Sequence, residues 1–211
     1  MEITVFGASG AIGSLFVHQA LRKGHKVKAY VRNPSKVTIS HPNIVVVKGE
    51  LNEKEKIKEA IKGSSAVVSL LGPPLKRNYE GTPIVDAHTN VISAMKELGI
   101  KRVLTLATPS VKFDKDKKSL MTIMPAVMGK LFLPKPYKEI VTVGEMIKTS
   151  GLDWTVVRII APNDKPQTGN IKVSFGADKL KMGISRTDIA TFFLKEIEEG
   201  NYIKSMPIIG S

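Results

Sequence analysis

Short apolar runs alternate along this chain with stretches whose apolar positions recur every three or four residues. The first run is ITVF, Ile3 to Phe6, and the segment from about Ile12 to Lys23 has helical spacing and stops at Gly24. HKVKAYV (His25 to Val31) alternates as a second strand, and RNPSK turns the chain. IVVV (Ile44 to Val47) is a third strand, apolar throughout. ELNEKEKIKEAIKG is charged and amphipathic, with Leu51, Ile57, Ala60 and Ile61 towards one face, and SAVVSLLG (Ser65 to Gly72) is a fourth strand.

After the loop PPLKRNYEG, the segment TPIVDAHTNVISAMKELGI starts a helix with Thr82 as N-cap and Pro83 at its first position. RVLTLA (Arg102 to Ala107) is a fifth strand, YKEIVTVGEMIKTSG a helix, WTVVRII a sixth strand and IKVSF another. SRTDIATFFLKEIEEG is the last helix, capped by Ser185, and SMPIIG closes the chain. Uniformly apolar strands alternating with helices predict a parallel sheet covered on both faces. The fold class is therefore a doubly wound, Rossmann-type α/β sandwich of three layers, one domain over residues 1–211. Its ligand belongs outside the carboxyl ends of the strands, where strand order reverses.

Composition narrows the chemistry. The 211 residues are 42% hydrophobic and 24% charged, ordinary for a globular domain. There is no cysteine, which removes disulfides, thiolate nucleophiles and Cys-ligated zinc. The four histidines lack metal-ligand spacing, so no metal is expected. The amino terminus enters a strand without the basic and apolar stretches of a secretory signal, and no apolar run approaches a span's roughly 20 residues. A cytoplasmic protein with no membrane partner is the expectation. The net charge of +13 is spread over both halves of the chain. With one Trp, four Tyr and no basic–aromatic alternation, it reads as a basic surface favouring anionic small molecules, not as a nucleic-acid site. Monomer and homodimer stay equally open.

The turn FGASGAIGSLF places Gly7, Gly10 and Gly13 between the first strand and the first helix. There Gly7 serves the sharp turn, Gly10 the approach of a pyrophosphate, and Gly13 close packing of the helix, whose free N–H groups face the phosphates. Gly7, Ser9, Gly10, Ala11, Ile12 and Gly13 form the expected phosphate cradle. The second strand leaves as YVRNPSK, where an NAD-preferring site would carry Asp or Glu. Arg32, followed by Asn33, Ser35 and Lys36, suits a 2′-phosphate, so NADP(H) is expected in preference to NAD(H).

With these motifs the chain resembles an atypical, extended-like short-chain dehydrogenase/reductase, in the NAD(P)H-binding group that holds NADH-flavin reductase-like proteins, biliverdin reductase B and nitrogen metabolite repressor-like proteins. VVVKGELNE resembles the third strand and the adenine-side pair of that group, with Glu50 where Asp is usual, and Leu51 beside it. VVSLLGPP resembles the loop beneath the cofactor's middle, which assigns Leu71, Gly72 and Pro73 to it, with Ala107 closing the fifth strand. SGLDWTVVRIIAPND and ISRTDIATFFLKEI resemble later signatures, the second with Asp188 fixing a strand-to-helix junction. The resemblance implies a catalytic Thr108 and Tyr137, but the partner lysine's position holds Val141. A valine neither lowers a phenol's pKa nor binds ribose.

That departure points away from ordinary carbonyl reduction. It points towards hydride transfer to a flavin, quinone or related conjugated molecule, with flavin as substrate and not as a resident group. A non-catalytic NADP(H) sensor is the alternative. Substrate-side elements are expected within about 108–136 and 160–185. Met121, Met124, Met128 and Phe132 read either as a soft wall for a flat ligand or as core or dimer contacts. KFDKDKKS reads as a solvated loop with Asp114 and Asp116 at the surface, and Trp154 as sheet core.

Overall fold

The computed structural model describes residues 1–177, 180–181 and 183–210. The order is β1 (Glu2–Phe6), α1 (Ala11–Arg22), β2 (Lys26–Val31), a 3-10 turn (Pro34–Lys36), β3 (Ile44–Lys48), α2 (Lys54–Ile61), β4 (Ala66–Ser69), α3 (Pro83–Glu97) and β5 (Arg102–Ala107). It continues through α4 (Leu120–Phe132), α5 (Pro134–Lys148), β6 (Asp153–Ile159), β7 (Pro162–Asn163), β8 (Lys172–Ser174), β9 (Ile184–Ser185), α6 (Arg186–Glu199) and β10 (Ile208–Gly210). The main sheet runs β3-β2-β1-β4-β5-β6-β10-β8. Strand order reverses between β1 and β4, as a doubly wound fold requires.

Each strand of the central sheet sends alternate residues to opposite faces. Val5, Val27, Ala29, Val68 and Leu104 meet α1 and α6 on one side. Phe6, Tyr30, Val67, Val103 and Val156 meet α2, α3 and α5 on the other. Both layers are closely packed apolar clusters, so the sheet is held as a slab and its carboxyl ends become a fixed platform.

Four expectations need correcting. The sheet is not wholly parallel: β8 pairs antiparallel with β10. No helix separates β6 from β8, so the IKVSF run lacks a crossover that would re-enter the sheet in the common direction. Second, β3 is an edge strand, with Val45 57% exposed, so an apolar β-branched run here reflects pleat preference more than burial. Third, Thr82 starts α3 but caps no backbone amide; its hydroxyl donates to Asp86 Oδ1 at 3.1 Å. The carboxylate of Glu139 on α5 takes its place, accepting from the N–H groups of Ile84 at 2.8 Å and Val85 at 3.2 Å.

Fourth, Asp116 is not a free surface acid. Arg158, fully buried in β6, donates Nη1 to Asp116 Oδ2 and Nη2 to Asp116 Oδ1, both at 2.6 Å. Its remaining donors reach the carbonyls of Met206 and Val111. Asp114, by contrast, is exposed and pairs with Lys148. Ser185 caps α6 as expected, accepting from the Asp188 N–H at 2.9 Å. Trp154 is buried core, edge-on to Phe113.

Asp188 ties the segment before β8 to the start of α6. It accepts from the Thr168 N–H, the Thr168 hydroxyl, the Gly169 N–H and the Ser185 hydroxyl at 2.9–3.1 Å. Burial alone pushes its pKa up, but these four donors outweigh burial and hold the carboxyl below its usual range.

Candidate dinucleotide-binding cleft

Gly7 ends β1 at φ +79°, where a side chain would meet the Leu70 carbonyl carbon and oxygen at 2.8 Å. The turn then closes on itself, Gly10 N–H donating to the Gly7 carbonyl at 2.9 Å. A Cβ on Gly13 would overlap that same oxygen and come within 3.0 Å of Ala8 Cα. Gly13 thus lets α1 pack onto the turn itself, more than onto the sheet. A Cβ on Gly10 would meet only the Gly7 oxygen, at 3.2 Å, and otherwise faces open space.

The helix that begins here has no side-chain cap at Gly10 and no acid in its first turn. Its leading N–H groups, of Ala11, Ile12 and Gly13, lack intrahelical partners by construction and lie at the positive end of the helix dipole. That combination can hold phosphate oxygens, and the residues fit a dinucleotide.

Beside the turn a cleft of about 690 Å³ opens over the carboxyl ends of β1, β2, β3 and β4. The walls bring together Gly7, Ser9, Arg32, Glu50, Leu51, Leu71 and Gly72 of the expected residues. Arg32 is exposed at the end of β2 and forms no salt bridge among the described residues. Asn33 lies next to it, with its side-chain oxygen committed to the Ser35 N–H and hydroxyl, so it shapes the turn that presents Arg32. Glu50 is held by its backbone: its carbonyl accepts from the Tyr30 hydroxyl at 2.7 Å and its N–H donates to Glu53 at 2.6 Å. Burial, with the charges of Glu53 and Glu50 behind it, pushes the Tyr30 phenol up to about 12, which keeps it a donor.

Gly10, Ala11, Ile12, Gly13, Asn33, Pro73, Ala107, Thr108 and Tyr137 are outside the cleft's lining. Pro74 lines it in place of Pro73. Thr108 follows β5, half-buried, its carbonyl accepting from Val111 N–H at 3.1 Å. Tyr137, also half-buried, packs on Gly129 of α4 with the Lys130 ammonium 5.6 Å from its ring centre. Met124, Met128 and Phe132 face solvent on α4.

Sequence reading missed the far wall, formed by Glu80, Gly81, Thr82, Pro83, Ile84 and Asp86. Its anchor is Glu139, 2% exposed, which caps α3 and also accepts a hydrogen bond from Tyr79. Burial first, then that bond and the carboxylate charge, raise the Tyr79 pKa, so this phenol is a locked donor. The Glu-Ile step inside YKEIV gave no hint of it. Below this wall His88 is buried, its Nδ1 2.7 Å from the Ile84 carbonyl and its Nε2 3.3 Å from the Thr105 hydroxyl. Such partners suit a neutral ring donating through Nδ1.

Burial holds the His88 pKa below its ordinary value. A depressed histidine pKa favours the unfolded chain once pH falls below the unfolded value of about 6.5, because only the unfolded chain then takes up the proton. The thermal midpoint is expected to fall between pH 7 and pH 5, and less steeply in His88→Gln. Equal slopes for the two proteins would remove His88 from this role.

A glycine turn feeding a helix amino terminus at the switch point of a doubly wound sheet defines a Rossmann-type dinucleotide-binding protein. The NAD(P)H-binding family model matches residues 7–200, and the chain belongs to that family. It is 26% identical over 204 residues to YwnB, an uncharacterised protein of Bacillus subtilis, covering 94% of this chain and 92% of YwnB. It is 28% identical over 220 residues to the isoflavone reductase homologue A622 of Nicotiana tabacum, of which it spans 64%, with 94% of this chain covered. Among solved structures it superimposes on ChuY, an anaerobilin reductase from Escherichia coli O157:H7, with a TM-score of 0.80 at 18% identity, covering 100% of this chain and 97% of that one.

Proposed function

We propose that this protein is a cytoplasmic NADPH-dependent reductase acting on a flavin, a quinone or a similar conjugated small molecule. The observation that carries the cofactor preference is Arg32, a guanidinium on the rim of the cleft with no salt bridge among the described residues and no acid at the strand end. Bound NADPH supplies the hydride. The free N–H groups at the start of α1 hold the pyrophosphate, and the Arg32 fork holds the 2′-phosphate. Glu50 and Leu51 meet the adenine edge, and Leu71 and Gly72, with Pro74 in place of Pro73, support the middle of the dinucleotide. Thr108 and Tyr137 orient the substrate, which enters between residues 108–136 and 160–185; residues 178, 179 and 182 of the second segment lie outside those described.

Val141, half-buried four residues after Tyr137, leaves the phenol without a cationic neighbour from the next helical turn. Proton delivery then falls to solvent, which a conjugated acceptor tolerates and an isolated carbonyl does not. The names that A622 and ChuY carry, isoflavone reductase homologue and anaerobilin reductase, support this reading.

Arg32→Ala is expected to weaken NADPH binding roughly tenfold or more while leaving NADH binding unchanged, the loss of one charge-assisted bidentate contact. Calorimetric titration of both nucleotides on both proteins measures it, followed by nucleotide oxidation on adding free flavin or a simple quinone. Equal loss for NADPH and NADH would remove the 2′-phosphate role. Val141 also favours a second reading, a non-catalytic sensor: tight NADPH binding with no oxidation by any acceptor would establish it.

A further inference from the structure

Helix α4 is apolar on nearly every side, and Thr122 is its one buried residue. Ile123, Val127 and Leu131, one above another at four-residue spacing, are 48%, 51% and 60% exposed, and Leu120 and Phe132 extend the same apolar surface. A monomer does not leave so much contiguous apolar area in water without a use for it.

The charge around this helix says what covers it. From Lys117 to Lys138 the chain carries Lys117, Lys118, Lys130, Lys135 and Lys138 and no Asp or Glu. None of the five forms a salt bridge among the described residues. A second copy pairing through α4 about a two-fold axis would bring two such lysine sets together with no acid of the same stretch to answer them. An anionic lipid surface answers both features at once: its phosphates meet the lysines, and its acyl boundary takes the apolar residues. At 13 residues α4 lies along such a surface, since no helix among the described residues is long and apolar enough to cross one.

We propose that α4, with its flanking lysines, docks this protein peripherally on anionic membranes, in departure from the sequence expectation of no membrane partner. The face lies outside the dinucleotide cleft, so nucleotide binding and vesicle binding are read separately, although α4 falls within the segment proposed above for substrate entry.

Flotation of the full chain with vesicles tests it, comparing phosphatidylcholine alone with phosphatidylcholine–phosphatidylglycerol mixtures at low and high salt. Bound protein is expected to rise roughly tenfold on the anionic vesicles, to fall with salt, and to be lost in the triple variant Ile123→Glu/Val127→Glu/Leu131→Glu. NADPH binding and circular dichroism check that the triple variant folds. If it does not, Leu131→Trp serves instead: Trp154 is the chain's single tryptophan and is buried, so a blue shift on adding anionic vesicles reports insertion at position 131. Absence of flotation on anionic vesicles, or an unshifted emission from the Leu131→Trp variant, overturns the proposal. So does concentration-dependent dimerisation that the triple variant abolishes without any vesicle binding, which would give the face to a second copy.

Discussion

Asp116→Ala is expected to destabilise the protein by about 3–5 kcal/mol, the cost of leaving a buried charge without its partner. Arg158 is completely buried and its two outer nitrogens both donate to the Asp116 carboxylate. Truncating the acid strands a guanidinium that cannot lose its proton. The double variant Arg158→Met/Asp116→Ala should recover much of the loss, since a buried pair replaced by apolar groups is often neutral. Urea unfolding of the wild type, both single variants and the double variant measures the coupling. A coupling near zero would show that the carbonyls of Met206 and Val111 satisfy Arg158 by themselves.

Gly13→Ala is the second large effect. The added methyl would overlap the Gly7 carbonyl oxygen, a backbone atom already fixed by the Gly10 N–H. Either α1 lifts or the turn opens, at a cost of about 1–3 kcal/mol for forced overpacking. Dinucleotide affinity should fall with it, because the cradle is the turn. Gly10→Ala provides the contrast: its methyl meets only one atom, at 3.2 Å, and points into open space. That variant should unfold within about 1 kcal/mol of wild type yet bind NADPH at least tenfold more weakly, the methyl standing where a phosphate oxygen approaches. Retained binding in Gly10→Ala would place the phosphates elsewhere.

The fold was legible because its signals are local. ITVF, AVVS and RVLTLA are too apolar and too short to be anything but buried strands, and Gly24, Gly63 and Gly99 punctuate them at positive φ. The glycine turn was legible for the same reason, since Gly7 to Gly13 is contiguous in sequence, and Gly7 and Ser9 of it line the cleft. What escaped were contacts between segments far apart in sequence. Asp116 sits in a run of lysines that looks solvated, and only β6 behind it makes it a buried partner. Glu139 reads as one more helix carboxylate until α5 is laid against the start of α3. IVVV shows its β-preference but not its place at the sheet edge. Met124, Met128 and Phe132 read as a ligand wall, core or dimer contacts, and their exposure on α4 removes only the core reading.

The Gly7 carbonyl oxygen receives one N–H and is the surface against which α1 rests, so the glycine turn beside the cleft is held by the chain's own backbone. Binding there carries little cost of ordering, and association should run near the rate that diffusion and charge allow. The opposite wall is different in kind: a loop and a helix start held by the single carboxylate of Glu139. The two sides of the cleft are thus set by different parts of the chain, the glycine turn by α1 and the far wall by a carboxylate from α5.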